Sequence, residues 1–301
     1  MVLDRLGYTA KDTVDMLGDF VDTVKIGWGL PFLLDENTLR QRVGIYRSTN
    51  THVSNGGTLL EICITKGKEE LALEKLVSLG FDTIEMSEGV IEIPSPTKKK
   101  VVEFARANHL RLHIEVGRKN PRNQLSLEET IGRVEESLDF KPDAVIIEGR
   151  ESGRSVGIYD DMGQIKWDWV ERLQAISQPS KLMYEAPQEI QQTELIIHIG
   201  SNVNLGNVGL PSLGALETQR QGLRGDTFGA SMSTRKIEGG PATKFLFFVV
   251  ASHGATDQSK LMALTGLNRR TIQASLKSLM KQGFVKETTD PSDQRRRIYS
   301  H

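Results

Sequence analysis

The 301-residue chain has a net charge of −1, with 38% hydrophobic and 26% charged residues, as expected of an ordinary soluble protein. Its single cysteine, Cys63, excludes an internal disulfide and fits a reducing compartment, so we expect a cytoplasmic protein. The apolar run FLFFVVA (residues 245–251) is far shorter than the roughly 20 residues of a membrane helix. No signal peptide is visible, because Met1 leads directly into VLD. We also expect no membrane partner.

Charge is distributed unevenly along the chain. Residues 240–301 contain ten Lys or Arg against four Asp or Glu, whereas the preceding residues contain 28 against 35. The tail therefore has a net charge of +6 and the body one of −7. This asymmetry predicts two domains with different partners.

Short apolar segments recur through the first 230 residues, and we interpret eight of them as strands. Most are separated by stretches able to form helices, such as residues 68–80, 96–109, 126–139 and 168–177. Strands alternating with helices predict βαβ units, and eight strands favour a closed (β/α)8 TIM barrel over an open sheet. The strand segments are MVLD, TVKIGWG, THVSNGG, TIEMSEG, RLHIEVG, AVIIEGR, KLMYEAP and NVNLGN.

The body and the tail are separated by a glycine-rich segment of small and polar residues. We predict a barrel domain at residues 1–229, a linker at 230–243 and a winged helix-turn-helix domain at 244–301. The tail predicts a helix from about residue 244, two further helices, and a hairpin made from FVKETTD and RRRIYS. Gly266 fits the turn between the second and third helices, and Asn268 fits the N-cap of the third.

Four glutamates follow apolar strand residues and stand just before a glycine, a proline or a turn. They are Glu85, Glu115, Glu148 and Glu185. Because neighbouring parallel strands lie roughly 4.8 Å apart, their carboxylates should form one ring at the rim of the barrel. Two charges about 5 Å apart repel by about 3 kcal/mol at an effective dielectric of about 20, so the ring needs cations or protons. Lys25, Lys119 and Arg150, or a divalent ion, could supply that charge.

Each glutamate could also pair with a lysine or arginine only to close the top of the barrel. The joint pattern of four glutamates nevertheless favours a polar active site. The six histidines have no metal-ligand spacing, which disfavours zinc hydrolysis. Trp28, flanked by two glycines, is interpreted as a packing residue at a strand end.

A second polar group lies late in the barrel, in residues 199–209 and 220–229. The loops after the last two strands of many barrels bind phosphate, and Arg224 could add a bidentate contact to an anion. Glycines and asparagines are also ordinary turn residues, and no P-loop signature is present. These segments are therefore either an anion site or simple turns.

Several strings make residues 1–229 resemble the phosphosulfolactate synthase family. In chain order they are VKIGWG, GGTLLE, IEVGRK, VIIEGRESG, YEAPQ, SNVNLGN and GLRGDTFG. The resemblance implies a TIM-barrel lyase of coenzyme M biosynthesis that uses Mg²⁺ to add sulfite to phosphoenolpyruvate, giving (2R)-phospho-3-sulfolactate. Because the family includes relatives in organisms without coenzyme M, the resemblance leaves the substrate in the cell open.

The resemblance also implies roles for individual residues. Lys119, in EVGRK, matches the family lysine that looks like the general acid. Glu115 and Glu148 are the leading Mg²⁺ ligands at the catalytic centre, with Glu85 and Glu185 as further candidates. The predicted ligands of the phosphate, carboxylate or sulfite groups are Lys25, Arg150, Asn202, Asn204 and Arg224.

Two positions depart from the family pattern. Asp4 is followed by Arg5, where the family usually has a lysine. Glu88 stands where many relatives carry an aspartate, and its longer side chain could alter a distance to the metal. These departures leave the expected fold unchanged but leave full activity open.

The tail resembles a winged helix of the MarR type, which typical synthases of the family lack. This resemblance implies double-stranded DNA as a partner, although a basic face can also be simply solvated and winged helices also bind proteins. Because the helices that pair MarR-type regulators are missing, we expect a homo-oligomer to form through the barrel. The predicted DNA contacts are Arg269, Arg270, Lys277, Arg295, Arg296 and Arg297.

Three hypotheses for the whole chain remain open on the sequence. The leading one is a synthase-type enzyme with a DNA-binding appendage. The second is a transcriptional regulator whose barrel senses an anionic metabolite without catalysis. The third is an inactive structural relative.

Overall fold

A computed structural model describes residues 1–4, 10–227, 239–253, 256–290 and 293–300, apart from the side chains of 252, 290 and 293–295. The chain divides into two compact units, Met1–Met232 and Ser233–His301. Over the described residues, we find no helix with the length and apolarity needed to span a bilayer. The helices are α1 (Ala10–Leu17), α2 (Leu30–Leu33), α3 (Glu36–Arg47), α4 (Gly57–Thr65), α5 (Glu69–Ser78), α6 (Ser95–Ala107), α7 (Leu127–Asp139), α8 (Trp167–Gln174), α9 (Glu189–Ile199), α10 (Leu213–Arg220), α11 (Pro241–His253), α12 (Gln258–Thr265) and α13 (Arg269–Lys281).

The first unit is built on a parallel sheet that closes on itself. Strand β8 pairs with β7, β9 pairs with β1, and Asn207 alone separates β8 from β9. The predicted parallel α/β barrel is therefore confirmed, with residues 204–209 forming the interrupted last strand. Its strands are β1 (Val2–Leu3), β2 (Thr23–Lys25), β3 (His52–Ser54), β4 (Thr83–Ser87), β5 (Arg111–Val116), β6 (Ala144–Ile147), β7 (Leu182–Glu185), β8 (Asn204–Gly206) and β9 (Val208–Gly209).

Hydrophobic burial between the strands and the surrounding helices holds the barrel together. All four residues of β6 are buried, as expected for a strand of a parallel sheet that is covered on both faces. The facing helices are amphipathic, and α7 contributes the buried residues Val134 and Leu138. Ser126 begins α7 with a capping box, in which its side chain accepts from the Glu129 amide and the Glu129 side chain accepts from the Ser126 amide. The capping box therefore fixes where α7 begins, and its buried face packs in the barrel core.

The second unit contains three helices and an antiparallel hairpin of β10 (Lys286–Asp290) and β11 (Asp293–Ser300). As predicted, Gly266 ends α12 in the left-handed region with φ +67, and the Asn268 side chain caps α13 by accepting from the Thr271 amide. Helix α11 begins at Pro241, three residues before the predicted start, because proline suits the first turn of a helix. Of the predicted linker, residues 230–238 lie outside the described residues.

A buried ion pair ties the end of β1 to α3. The Asp4 carboxylate is fully buried and accepts from Arg42 Nε at 2.5 Å and Arg42 Nη2 at 2.8 Å. The Tyr46 hydroxyl donates to the same carboxylate at 2.9 Å. Asp4 therefore accepts from three donor groups, on two side chains that are largely removed from water.

We predict that Asp4→Ala lowers the free energy of unfolding by about 3 kcal/mol, because it removes the buried carboxylate that accepts from both Arg42 and Tyr46. Urea unfolding followed by circular dichroism measures this loss. The control is Asp15→Ala, which removes an exposed ion pair with Lys11 at 3.3 Å and should cost less than about 1 kcal/mol. Equal losses in the two variants would contradict a structural role for the buried pair.

Candidate active site

The fold brings the four predicted glutamates together in the carboxyl-terminal half of the barrel, with Glu85 in the middle of its strand. Glu85 lies in β4, Glu115 in β5 and Glu185 at the end of β7, and Glu148 follows β6 directly. Each of the four is at most 3% exposed. The tight register of parallel strands therefore concentrates four carboxylates in a space with little water.

Two lysine ammonium groups lie between these carboxylates. Lys25 Nζ, at the end of β2, lies 3.0 Å from Glu85 Oε1, 2.9 Å from Glu185 Oε1 and 3.5 Å from Glu115 Oε2. Lys119 Nζ, four residues after Glu115, lies 3.0 Å from Glu115 Oε1 and 2.8 Å from Glu148 Oε2. Both predicted lysines therefore belong to the site, and Glu115 contacts both of them.

The charges shift the protonation of these groups in opposite directions. Burial raises the pKa of Glu148 well above its ordinary value, and the charges of Glu115 and Glu185 raise it further. Burial alone would raise the pKa of Glu115, but the charges of Lys119 and Lys25 hold it below its ordinary value. Burial alone would lower the pKa of Lys119, but the charges of Glu115 and Glu148 hold it above its ordinary value. Lys119 is therefore an ammonium at neutral pH.

The donor set fits a divalent cation that prefers oxygen. Glu115, Glu148 and Glu185 each offer an oxygen atom, and these atoms lie within 4.8 Å of one another. Four carboxylates face two ammonium groups, so a negative excess remains once every group is ionised. Glu85 Oε2 is buried without a hydrogen-bond partner, which is an unsatisfied acceptor in the same cluster. These features are compatible with a metal ion at the three buried glutamates.

Two loops meet above the cluster. Trp28 Nε1, after β2, donates to Glu151 Oε1, after β6, at 2.9 Å. In a barrel of eight strands the second and sixth lie on opposite sides, so this hydrogen bond crosses the mouth. The interpretation of Trp28 as a packing residue is wrong, because it is 53% exposed and lines a cleft of about 80 Å³ together with Lys119 and Arg150.

The backbone beside Arg150 is held in an uncommon conformation. Arg150 has a φ of +54, in the left-handed region, and its carbonyl accepts from Asn207 Nδ2 at 2.7 Å. Asn207 also has a φ of +54 and separates β8 from β9. Our sequence reasoning missed Asn207, although asparagine tolerates this conformation better than most residues and stands in the quoted string SNVNLGN.

Three predicted substrate ligands are not brought to this cleft. Asn202 and Asn204 line a separate cavity of about 800 Å³, which also contains the amino-terminal ends of β2 and β6. Asn204 Nδ2 donates to the Leu182 carbonyl at 3.0 Å, which is a structural contact between strands. Arg224 lies 3.7 Å from Glu189 and 3.5 Å from Asp226 and is not among the residues that line the cleft.

Glu88 also lies apart from the carboxylate cluster. Its Oε2 is 2.7 Å from Lys98 Nζ and 3.6 Å from Arg133 Nη1, and its Oε1 accepts from the Ile93 amide. These partners belong to α6, α7 and the loop between β4 and α6. The expectation that the length of Glu88 alters a metal distance is therefore not supported by its position.

Comparison with known proteins connects the barrel unit to a family. Residues 1–226 match the family described as (2R)-phospho-3-sulfolactate synthase (ComA). The chain belongs to the phosphosulfolactate synthase family. The phosphosulfolactate synthase of Methanothermobacter thermautotrophicus is 39% identical over 233 residues, covering 76% of this chain and 90% of that protein.

Other phosphosulfolactate synthases match the same part of the chain. The one from Methanocaldococcus jannaschii is 37% identical over 221 residues, covering 73% of this chain and 88% of that protein. The one from Bacillus subtilis is 32% identical over 224 residues, covering 72% and 86%. Family membership therefore rests on the barrel unit.

We predict that Lys25→Met destabilises the barrel by about 3 to 5 kcal/mol at pH 8, because it leaves buried carboxylates without their shared cation. The loss should shrink as the pH falls. Burial raises the pKa of Glu85 in the folded protein, so protonation favours the folded state and relieves the repulsion below that pKa.

Urea unfolding of the wild type and the variant between pH 5 and pH 8 measures this difference. Lys100→Met, which removes an exposed lysine of α6, is the control and should show little loss at any pH. A loss at Lys25 that stays constant with pH would contradict the electrostatic explanation.

Proposed function

We propose that the barrel adds sulfite to phosphoenolpyruvate to give (2R)-phospho-3-sulfolactate, with Mg²⁺ as its cofactor. The observation that carries this proposal is the ammonium of Lys119, held between Glu115 and Glu148 in a chain of this family. A proton donor beside a carboxylate cluster is the pair of features that the reaction requires.

The reaction forms one carbon–sulfur bond and one carbon–hydrogen bond. The sulfur lone pair of sulfite attacks the methylene carbon of phosphoenolpyruvate, and the electrons of the double bond move toward the substrate carboxylate as an enediolate. Lys119 then donates its proton to the carbon that bears the phosphate, and solvent returns a proton to the neutral amine. No redox partner is needed, because sulfite supplies the electron pair and Lys119 the proton.

The other cluster residues stabilise negative charge during this sequence. Bound at Glu115, Glu148 and Glu185, Mg²⁺ would supply positive charge against the enediolate oxygens. Lys25 lies between the same carboxylates and lowers their repulsion. Arg150 lines the cleft and is the proposed ligand of a substrate anion. The hydrogen bond between Trp28 and Glu151 would limit water access above them.

Phosphorus NMR of the full chain with phosphoenolpyruvate, sulfite and Mg²⁺ tests this function. A new phosphate monoester signal that requires both sulfite and protein supports the synthase. Saturable binding of phosphoenolpyruvate without any product would favour the alternative, a barrel that senses an anionic metabolite. Neither binding nor product would indicate an inactive relative.

Lys119→Ala is the informative variant in the same assay. It should lower kcat by at least about 100-fold, because a positioned general acid speeds a reaction by about 10²- to 10⁴-fold. Binding of Mn²⁺, followed by electron paramagnetic resonance, should persist, since the three candidate ligands remain. Turnover at the wild-type rate would remove Lys119 from the mechanism.

We also propose that the second unit is a winged helix that binds double-stranded DNA. Its order of three helices followed by a hairpin supports the proposal, as does the exposed face of α13. Arg270 and Lys277 are exposed on that face, whereas Ile272 and Leu276 are buried on the other. The helix is therefore amphipathic with a basic outer surface that suits phosphates.

The described arginine side chains of the hairpin make contacts within the second unit. Arg296 Nε donates to Asp257 Oδ2 at 2.9 Å, and Arg297 Nη1 donates to Thr289 Oγ1 at 2.5 Å. Arg296 and Arg297 therefore already have partners within the unit. The side chain of Arg295 lies outside the described residues. The proposed DNA contacts are therefore on α13: Arg269, Arg270 and Lys277.

We predict that Arg270→Ala and Lys277→Ala each weaken binding to a generic DNA duplex and reduce the salt slope by about one. Fluorescence anisotropy of a labelled duplex against salt concentration, with the full chain, measures both quantities. Lys100→Ala, an exposed lysine of the barrel unit, is the control. No binding by the wild type, or an unchanged slope in both variants, would contradict the DNA-binding proposal.

A further inference from the structure

A buried carboxylate outside the metal cluster organises the loop that follows β4. Glu61, in α4, is 1% exposed. Its Oε2 accepts from the Val90 amide at 2.7 Å and the Ile91 amide at 2.9 Å. Its Oε1 accepts from the Gly89 amide at 3.3 Å and from the Ser87 hydroxyl. One side chain therefore satisfies three consecutive backbone donors of the loop.

The same loop packs against the Lys119 side chain. The Gly89 carbonyl accepts from the Lys119 amide at 2.9 Å, which joins the loop after β4 to the loop after β5. A Cβ atom placed on Gly89 would stand 2.8 Å from both Cγ and Cε of Lys119. The lysine stem therefore lies directly against the Gly89 Cα, at a distance that only a hydrogen atom permits.

The constraint at position 89 is one of space and not of backbone conformation. Gly89 is not among the residues with a positive φ, so an alanine can adopt its backbone angles without strain. The added methyl group must instead displace the lysine stem, because the Glu61 carboxylate anchors the loop on its other side. The ammonium of Lys119 would then leave its place between Glu115 and Glu148.

We infer that Glu61 and Gly89 are positioning residues that set where the Lys119 ammonium stands. The catalytic consequence of this inference rests on the proposed role of Lys119 as the proton donor. The geometric consequence does not, because it concerns only the packing of the lysine stem against the loop. Each consequence has its own measurement.

The activity measurement uses Gly89→Ala with phosphoenolpyruvate, sulfite and Mg²⁺. We expect kcat to fall by about 10- to 100-fold, because a displacement of about 1 Å can cost about 100-fold in rate. KM for phosphoenolpyruvate should stay within about twofold, since the substrate ligands do not move. The matched control is Gly132→Ala, in α7, where an added Cβ meets no atom within 4 Å and kcat should not change.

The packing measurement does not depend on turnover. Gly89→Ala should lower the urea midpoint of unfolding in the wild-type background, because the methyl group collides with the lysine stem. The same substitution in a Lys119→Ala background should lower it by much less, because the stem is gone. If the shift is smaller in the Lys119→Ala background but the wild type shows no turnover, the proposed function fails while the positioning inference stands.

Three results would overturn the inference. The first is an equal shift of the midpoint in both backgrounds, and the second is an unchanged kcat of Gly89→Ala in an assay where Lys119→Ala lowers kcat. The third comes from Glu61→Gln, which keeps the shape of the side chain but turns an amide group toward backbone donors. This variant should lower kcat with little change in KM, and a change in KM alone would remove Glu61 from the positioning of Lys119.

Discussion

Two ammonium groups placed among four buried carboxylates are the interaction on which this barrel depends. The strand ends lie so close together that ionised glutamates would repel one another by several kcal/mol per pair without compensation. Lys25 and Lys119 supply that compensation, and Glu115 is the residue that contacts both. The same arrangement keeps Lys119 protonated at neutral pH, which is the state that proton donation requires.

Such a cluster costs stability, and the surrounding loops hold it in place. Asn207 donates to the carbonyl of Arg150, whose backbone is left-handed. Glu61 accepts hydrogen bonds from amides of the loop beside Lys119. The hydrogen bond from Trp28 to Glu151 joins opposite sides of the mouth. These contacts come from five different strand-following segments, so the site is a property of the closed barrel and not of any one loop.

The two polar segments late in the barrel illustrate the limit of reasoning from residue type alone. SNVNLGN contains three asparagines, and the sequence favoured Asn202 and Asn204. The strand begins at Asn204, so those two lie at its amino-terminal end, whereas Asn207 reaches the cleft. The direction of a strand is evident from its neighbours, but the residue at which it starts is settled by pairing with β7. A shift of three residues along a strand moves a side chain by about 10 Å.

The sequence by itself determined the barrel class, and it predicted four glutamates and two lysines that the fold brings together. These features follow from local patterns, since apolar runs that end in carboxylates mark strand ends that must meet at one rim. Only the tertiary structure decided that Trp28 bonds to Glu151, that Gly89 packs against the Lys119 stem, and which carboxylate accepts from the loop beside Lys119. Those relations join residues about 30 to 120 positions apart, and no periodicity along the chain records a contact that arises when the sheet closes.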